Sequence, residues 1–136
     1  MKGMAVVAMI GLTACAPILP QDIPAAAEGE GPLPAPTYLG VQTMRLDDDL
    51  VAFRVAIDQP RAASDIDAYT ACAAAQYARI RGQGYARRIR TNIDDRGGAW
   101  VADAVYLISR NKPRGEDIID AAQTVADCKA QSIPTV

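Results

Sequence analysis

Three groups of side chains in this 136-residue sequence have types and spacings suited to chemistry: Cys15, Cys72 and Cys128, the arginines from Arg79 to Arg96, and the acidic clusters Asp47-Asp48-Asp49 and Asp94-Asp95. Histidine is absent, which removes Ser-His-Asp and Cys-His nucleophilic sites and imidazole ligation of metals. No metal and no cofactor is expected. The acidic clusters fall on turn signals, where water reaches the carboxylates and nothing raises a pKa, so they read as turn formers. Asp117 and Asp120 lack the spacing of a calcium loop. Gly82-Gln83-Gly84 closes a helical pattern rather than opening one, so it presents carbonyls and cannot cradle a phosphate.

Arg79, Arg81, Arg87, Arg88, Arg90 and Arg96 lie around the end of a predicted helix and the strand after it. Strict alternation puts Arg88 and Arg90 on one polar face, with Arg79 or Arg81 nearby. Such a patch suits an anionic partner: a lipid phosphate, a cell-wall polymer or an acidic protein surface. The plainer reading, a solvated sheet face plus a helix C-terminus supplied with cations, is the one the sequence favours. The formal net charge of −2 gives no global attraction to nucleic acid.

Cys72 and Cys128 are too far apart for a redox C-x-x-C or a zinc knuckle, and a structural disulfide is their simplest use. Closing that loop would stabilise a small domain by about 3 to 5 kcal/mol in the loop-entropy model. Two separate buried thiols are the alternative. Cys15 has a different setting. Lys2 supplies a positive start, and Met4 to Leu12 form an apolar run too short for the roughly 20 residues a membrane-spanning helix needs. Leu12-Thr13-Ala14-Cys15 follows. These residues resemble the signal and lipobox of bacterial lipoproteins, a likeness confined to Met1 to Cys15. The resemblance implies that Cys15 is joined to diacylglycerol, that the chain is cut between Ala14 and Cys15, and that the new amine is acylated. Acyl chains on Cys15 would then hold the protein on a membrane. Ala16, in place of an aspartate, implies an outer-membrane address facing the periplasm. An ordinary signal peptide with a chance cysteine, or a cytosolic chain with an apolar start, are the alternatives.

The elements that would carry these groups follow from composition and period. Residues 1–14 read as signal peptide, and 15–36 as the lipidated N-terminus with a Pro- and Ala-rich tether. Residues 37–136 are enough for one α+β domain. Leu50 to Asp58 is the cleanest strand, with Val51, Phe53, Val55 and Ile57 on one face. Tyr38 to Leu46 pairs with it across the aspartates. Ser64 or Asp65 is expected to cap a helix reaching Arg81, with a stripe of Ile66, Tyr69, Ala73, Tyr77 and Ile80. A second hairpin sets Arg87, Ile89, Thr91 and Ile93 against Arg88, Arg90 and Asn92, then turns into Trp100 to Ser109, which is apolar on both faces and so central. Ile118 to Cys128 is ambiguous, with strand slightly preferred. The expected architecture is a small antiparallel sheet with one packed helix, ββαβββ, or ββαββα if the last element is helical.

The functional expectation is a non-catalytic cell-envelope lipoprotein, a tethered structural or binding module. Its partner would be another envelope protein, anionic lipid or cell-wall polymer. The competing expectation is a carboxylate-dependent enzyme acting on cell-wall glycans, which needs a cleft flanked by two acidic side chains. The sequence predicts no such cleft.

Overall fold

The computed structural model describes residues 32–136, and Leu33–Val136 form one compact unit. Cys15, the signal segment and nearly all of the expected tether therefore lie outside the described residues.

β1 (Thr37–Arg45) and β2 (Leu50–Asp58) form the first hairpin, turning at the three aspartates. β2 alternates as its sequence dictates: Val51, Phe53, Val55 and Ile57 are at most 1% exposed. Gly97 and Gly98 both have positive φ, and they turn β3 (Tyr85–Arg96) into β4 (Ala99–Ser109). Gly is favoured there because it takes up that backbone without strain. The antiparallel order is β1-β2-β4-β3 and then β5 (Ile118–Asp120), so β4 is central as expected.

Two helices cover one face. α1 (Ala63–Ile80) lays Ala73, Ala74, Ala75 and Ala78, all fully buried, toward the sheet and its neighbouring helix. These short side chains let the helix come close, and Phe53 fills the space between Tyr77 and Tyr106 with edge-on contacts at 5.7 and 5.9 Å. α2 (Ala121–Ala130) lies beside α1, and Cys72 is bonded to Cys128, joining the two helices at a Cα separation of 5.9 Å. The expected disulfide is therefore present. Around it gather Val55, Ile57, Ile66, Tyr69 and Ile133.

The ββαβββ order stands, with a second helix added. Ile118 to Cys128 divides: only Ile118–Asp120 extends the sheet beside Tyr85–Arg87, and the remainder is helical. Asp120 makes the switch, since its carboxylate accepts a hydrogen bond from the Gln123 backbone N–H at 3.0 Å and caps α2. Three local expectations are corrected. The N-cap of α1 is Ala62, which has no side-chain cap, whereas Asp65 lies inside the first turn and accepts from the Arg61 backbone N–H at 2.7 Å. Ile80 leaves the apolar stripe and is 65% exposed, because the helix ends there beyond the sheet's cover. In β3 the alternation breaks at a bulge between Arg88 and Arg90.

Candidate functional site

That bulge decides where the arginines go. Ile89 is the extra residue, so Arg88 pairs with Tyr106 while Arg90 pairs with Val105. Paired residues share a face, which turns Arg88 toward the helices and leaves Arg90 on the opposite side with Arg87. The expectation that Arg88 and Arg90 share one face is thus reversed by a single inserted residue.

Arg88 enters a recess of about 370 Å³ between α1, β4 and the segment leading into β5, with Asp67, Tyr106, Asp117 and Ile119 on its walls. One guanidinium nitrogen donates to Asp67 at 2.8 Å and another to Asp117 at 3.3 Å. The Arg88 backbone N–H also donates to the Asp117 carbonyl at 3.0 Å. Below this bridge the Tyr106 hydroxyl meets the Thr70 hydroxyl at 3.2 Å, and Thr70 in turn donates to the Asp67 carbonyl at 3.0 Å. Burial pushes the Tyr106 phenol above its ordinary value of 10.0, opposed by its hydrogen bond with Thr70 and by the positive charge of Arg88.

The expectation that no cavity holds two carboxylates is corrected, because Asp67 and Asp117 line this recess. Their chemistry is nonetheless constrained. Both bond to one guanidinium, which occupies acceptor positions that a general acid or a metal ion would need. Among the described residues no group of three acidic or cysteine side chains is placed to hold a metal ion. What the arrangement does physically is pin α1, β3 and the segment before β5 at one point.

The other arginines are dispersed. Arg87 lies against the loop before β5: a Cβ on Gly115, which has φ +111°, would stand 2.8 Å from its guanidinium. Arg79 is in the last turn of α1, twelve residues or roughly 18 Å along the helix from Asp67. Arg81 borders a small recess with Asp48 and Asp49, while Arg96 contacts Asp94 at 3.3 Å. The acidic clusters behave as turn formers, with Asp47 accepting from the Asp48 N–H and Asp95 from the Gly98 N–H. Sequence reasoning missed Asp67, Thr70 and Tyr106 as a polar unit. The available signal was Thr70, a polar residue beside Tyr69 within the buried turn of an otherwise apolar helix face.

A second recess of about 510 Å³ lies at the start of α1, bordered by Tyr38, Arg61, Asp65 and Ile133. Hydrogen bonds from the Arg61 side chain hold the Asp65 carboxyl below its usual range, against the opposing effect of burial.

A helix-covered antiparallel sheet of order β1-β2-β4-β3-β5 is thus on hand, and residues 38–132 match the family model described as the YNQ4 C-terminal domain. The chain belongs to the YNQ4 C-terminal domain family. Among the described residues the match takes in β1 from Tyr38, β2 to β5, both helices, the disulfide and the Arg88 bridge. The chain is also 43% identical over 67 residues to the "Uncharacterized 26.9 kDa protein in nqo8 5'region" of Paracoccus denitrificans. That alignment takes in 49% of this chain and 26% of the relative, so the chain spans about a quarter of the relative's length. No solved structure matches.

Proposed function

We propose that this YNQ4-type domain is the folded part of a non-catalytic lipoprotein of the bacterial cell envelope, held on a membrane by acyl chains on Cys15 and facing the periplasm, with the outer membrane as its address. The observation that carries this reading is the assignment of the cysteines. Of three in the chain, Cys72 and Cys128 are bonded to each other, which leaves Cys15 as the odd one, directly after Leu12-Thr13-Ala14. A buried disulfide between two helices also suits an oxidising compartment. One acyl chain binds a membrane marginally, at about 0.8 kcal/mol per buried CH₂, and two or three make attachment stable. The domain needs no spanning helix under this reading, and among the described residues no helix is long and apolar enough to be one. The non-catalytic half is supported by Arg88, which engages both carboxylates of the recess.

Metabolic labelling with a palmitate analogue tests the proposal. The wild-type chain should take up label and partition into the detergent phase, and Cys15→Ser should remain unlabelled and uncleaved. Normal processing and partitioning of Cys15→Ser would overturn the lipoprotein reading.

A further inference from the structure

The sheet face away from the helices carries a pattern that is complementary to itself. Beside an end row of Thr37–Asp58–Ala99–Arg96, four cross-strand rows lie on it, each read from β1 to β3 through the pairings of β2 with β4. They are Leu50–Leu107–Arg87 (without a β1 member), Met44–Ala52–Val105–Arg90, Gln42–Arg54–Asp103–Asn92 and Gly40–Ala56–Val101–Asp94. No helix lies on this face among the described residues, and Ala52, Ala56, Val101 and Leu107 are only partly buried on it, while Val105 is 6% exposed. A groove of about 320 Å³ runs across one end, where Gly40, Ala56 and Val101 leave room beside Leu39. At the middle stand Arg54 and Asp103, 3.8 Å apart and each about half exposed.

We propose that this face docks a second copy of the same chain, sheet against sheet, about a two-fold axis running along the strands between β2 and β4. Such an axis lays each row on its own reverse. Arg54 then meets Asp103 of the second copy, and Asp103 meets the second copy's Arg54. Ala52 lies over Val105, Ala56 over Val101 and Leu50 over Leu107, so on two of these rows a small side chain faces a branched one. A two-fold axis across the strands instead would set Arg54 against Arg54, so charge selects the first arrangement. Aligned packing of this kind is the common way for two twisted sheets to cover each other.

The size of the face sets the strength. The axis lays β1 over β3 and β2 over β4 and leaves the three-residue β5 without a counterpart, so four strands spaced at about 4.8 Å and nine residues long overlap over roughly 14 by 30 Å, or about 860 Å² buried over both copies, the size of a weak, transient contact. The dimer is therefore weak and reversible, in the micromolar class. This inference does not rest on the lipid anchor, since a soluble chain would present the same face.

Sedimentation velocity of the purified full chain in mild detergent, over a micromolar to sub-millimolar series, tests it. The wild type should pass from monomer to dimer. Arg54→Glu alone and Asp103→Arg alone should each weaken the dimer by about tenfold or more, because each sets two like-charge contacts across the axis. Mixed together, the two variants should form a mixed dimer of wild-type strength, since Glu faces Arg at one contact and Asp faces Arg at the other. Within each copy the charges remain mismatched, so only contact between copies explains that recovery. Unchanged thermal melts of the dilute variants show that the fold is intact. A wild type that stays monomeric throughout, forms larger species, or dimerises with no response to either substitution overturns the proposal, as does a mixture that fails to associate.

Discussion

The two faces of one sheet obey different rules, although the same strands build both. On the helix-covered face, Phe53, Tyr106 and Ala104 are at most 1% exposed and packed against α1. On the open face, their neighbours Ala52, Arg54 and Asp103 are partly or largely exposed. The covered face holds most of the folding free energy, because apolar area removed from water contributes roughly 25 cal/mol per Å² and misfit there leaves a cavity. The open face is free to vary in charge and shape. Polar groups on the covered face are mostly bonded, as Arg88, Thr70 and Tyr106 are, with the Thr91 hydroxyl as an exception, whereas Arg90 faces no such condition on the open side.

Substitution should expose this contrast most strongly at adjacent positions of β2. Phe53→Ala is expected to cost about 3 to 5 kcal/mol in urea unfolding, since it empties the space between Tyr77 and Tyr106. Arg54→Ala, measured on dilute protein, should stay within about 0.5 kcal/mol. Similar costs at the two positions would mean that the open face is buried in the folded protein.

The disulfide belongs wholly to the covered side, and its loss comes next in size. Cys72→Ala with Cys128→Ala should lower stability by about 2 to 4 kcal/mol, because the bond closes a 56-residue separation and tethers α2. Hydrogen exchange should then show α2 opening before the sheet. Uniform opening would show that α2 packing, not the bond, holds that helix.

A smaller effect separates the two arginines on either side of the bulge. Arg88→Ala leaves Asp67 and Asp117 facing each other without their shared cation, and about 1 kcal/mol is expected after allowing for their partial exposure. Arg90→Ala should be nearly silent. Equal effects would break the assignment of the bulge to Ile89.

The smallest effect is one of pH. Burial raises the phenols of Tyr38, Tyr69 and Tyr106 above 10.0. Each folded value exceeds its unfolded one, so the contribution to stability is complete below pH 10 and is lost as pH rises through the folded value. Alkaline unfolding should therefore begin near pH 10, and Tyr106→Phe should flatten that limb. A limb unchanged in Tyr106→Phe would assign it to Tyr38 and Tyr69.

Much of this domain was legible in the order of its residues. Val51, Phe53, Val55 and Ile57 announce a half-buried strand through a period of two, the Asp and Gly clusters announce turns, and two distant cysteines with no metal-site spacing announce a bond. These are local or pairwise properties, set by backbone geometry and by the limited uses of a thiol. The sequence by itself determined the first four strands, the first helix, the hairpins and the central place of β4. Only the tertiary structure decided that Ile89 is bulged, that Arg88 therefore turns inward, and that residues 121–130 form a helix beside α1. A bulge alters the face of every later residue without changing the local pattern of types, and the outcome depends on whether Asp67 and Asp117 are there to receive the guanidinium. Ala121–Ala130 carries too weak a periodicity to choose a partner for itself. The bond from Cys128 to Cys72 and the cap at Asp120 made that choice, because both require neighbours that folding supplies.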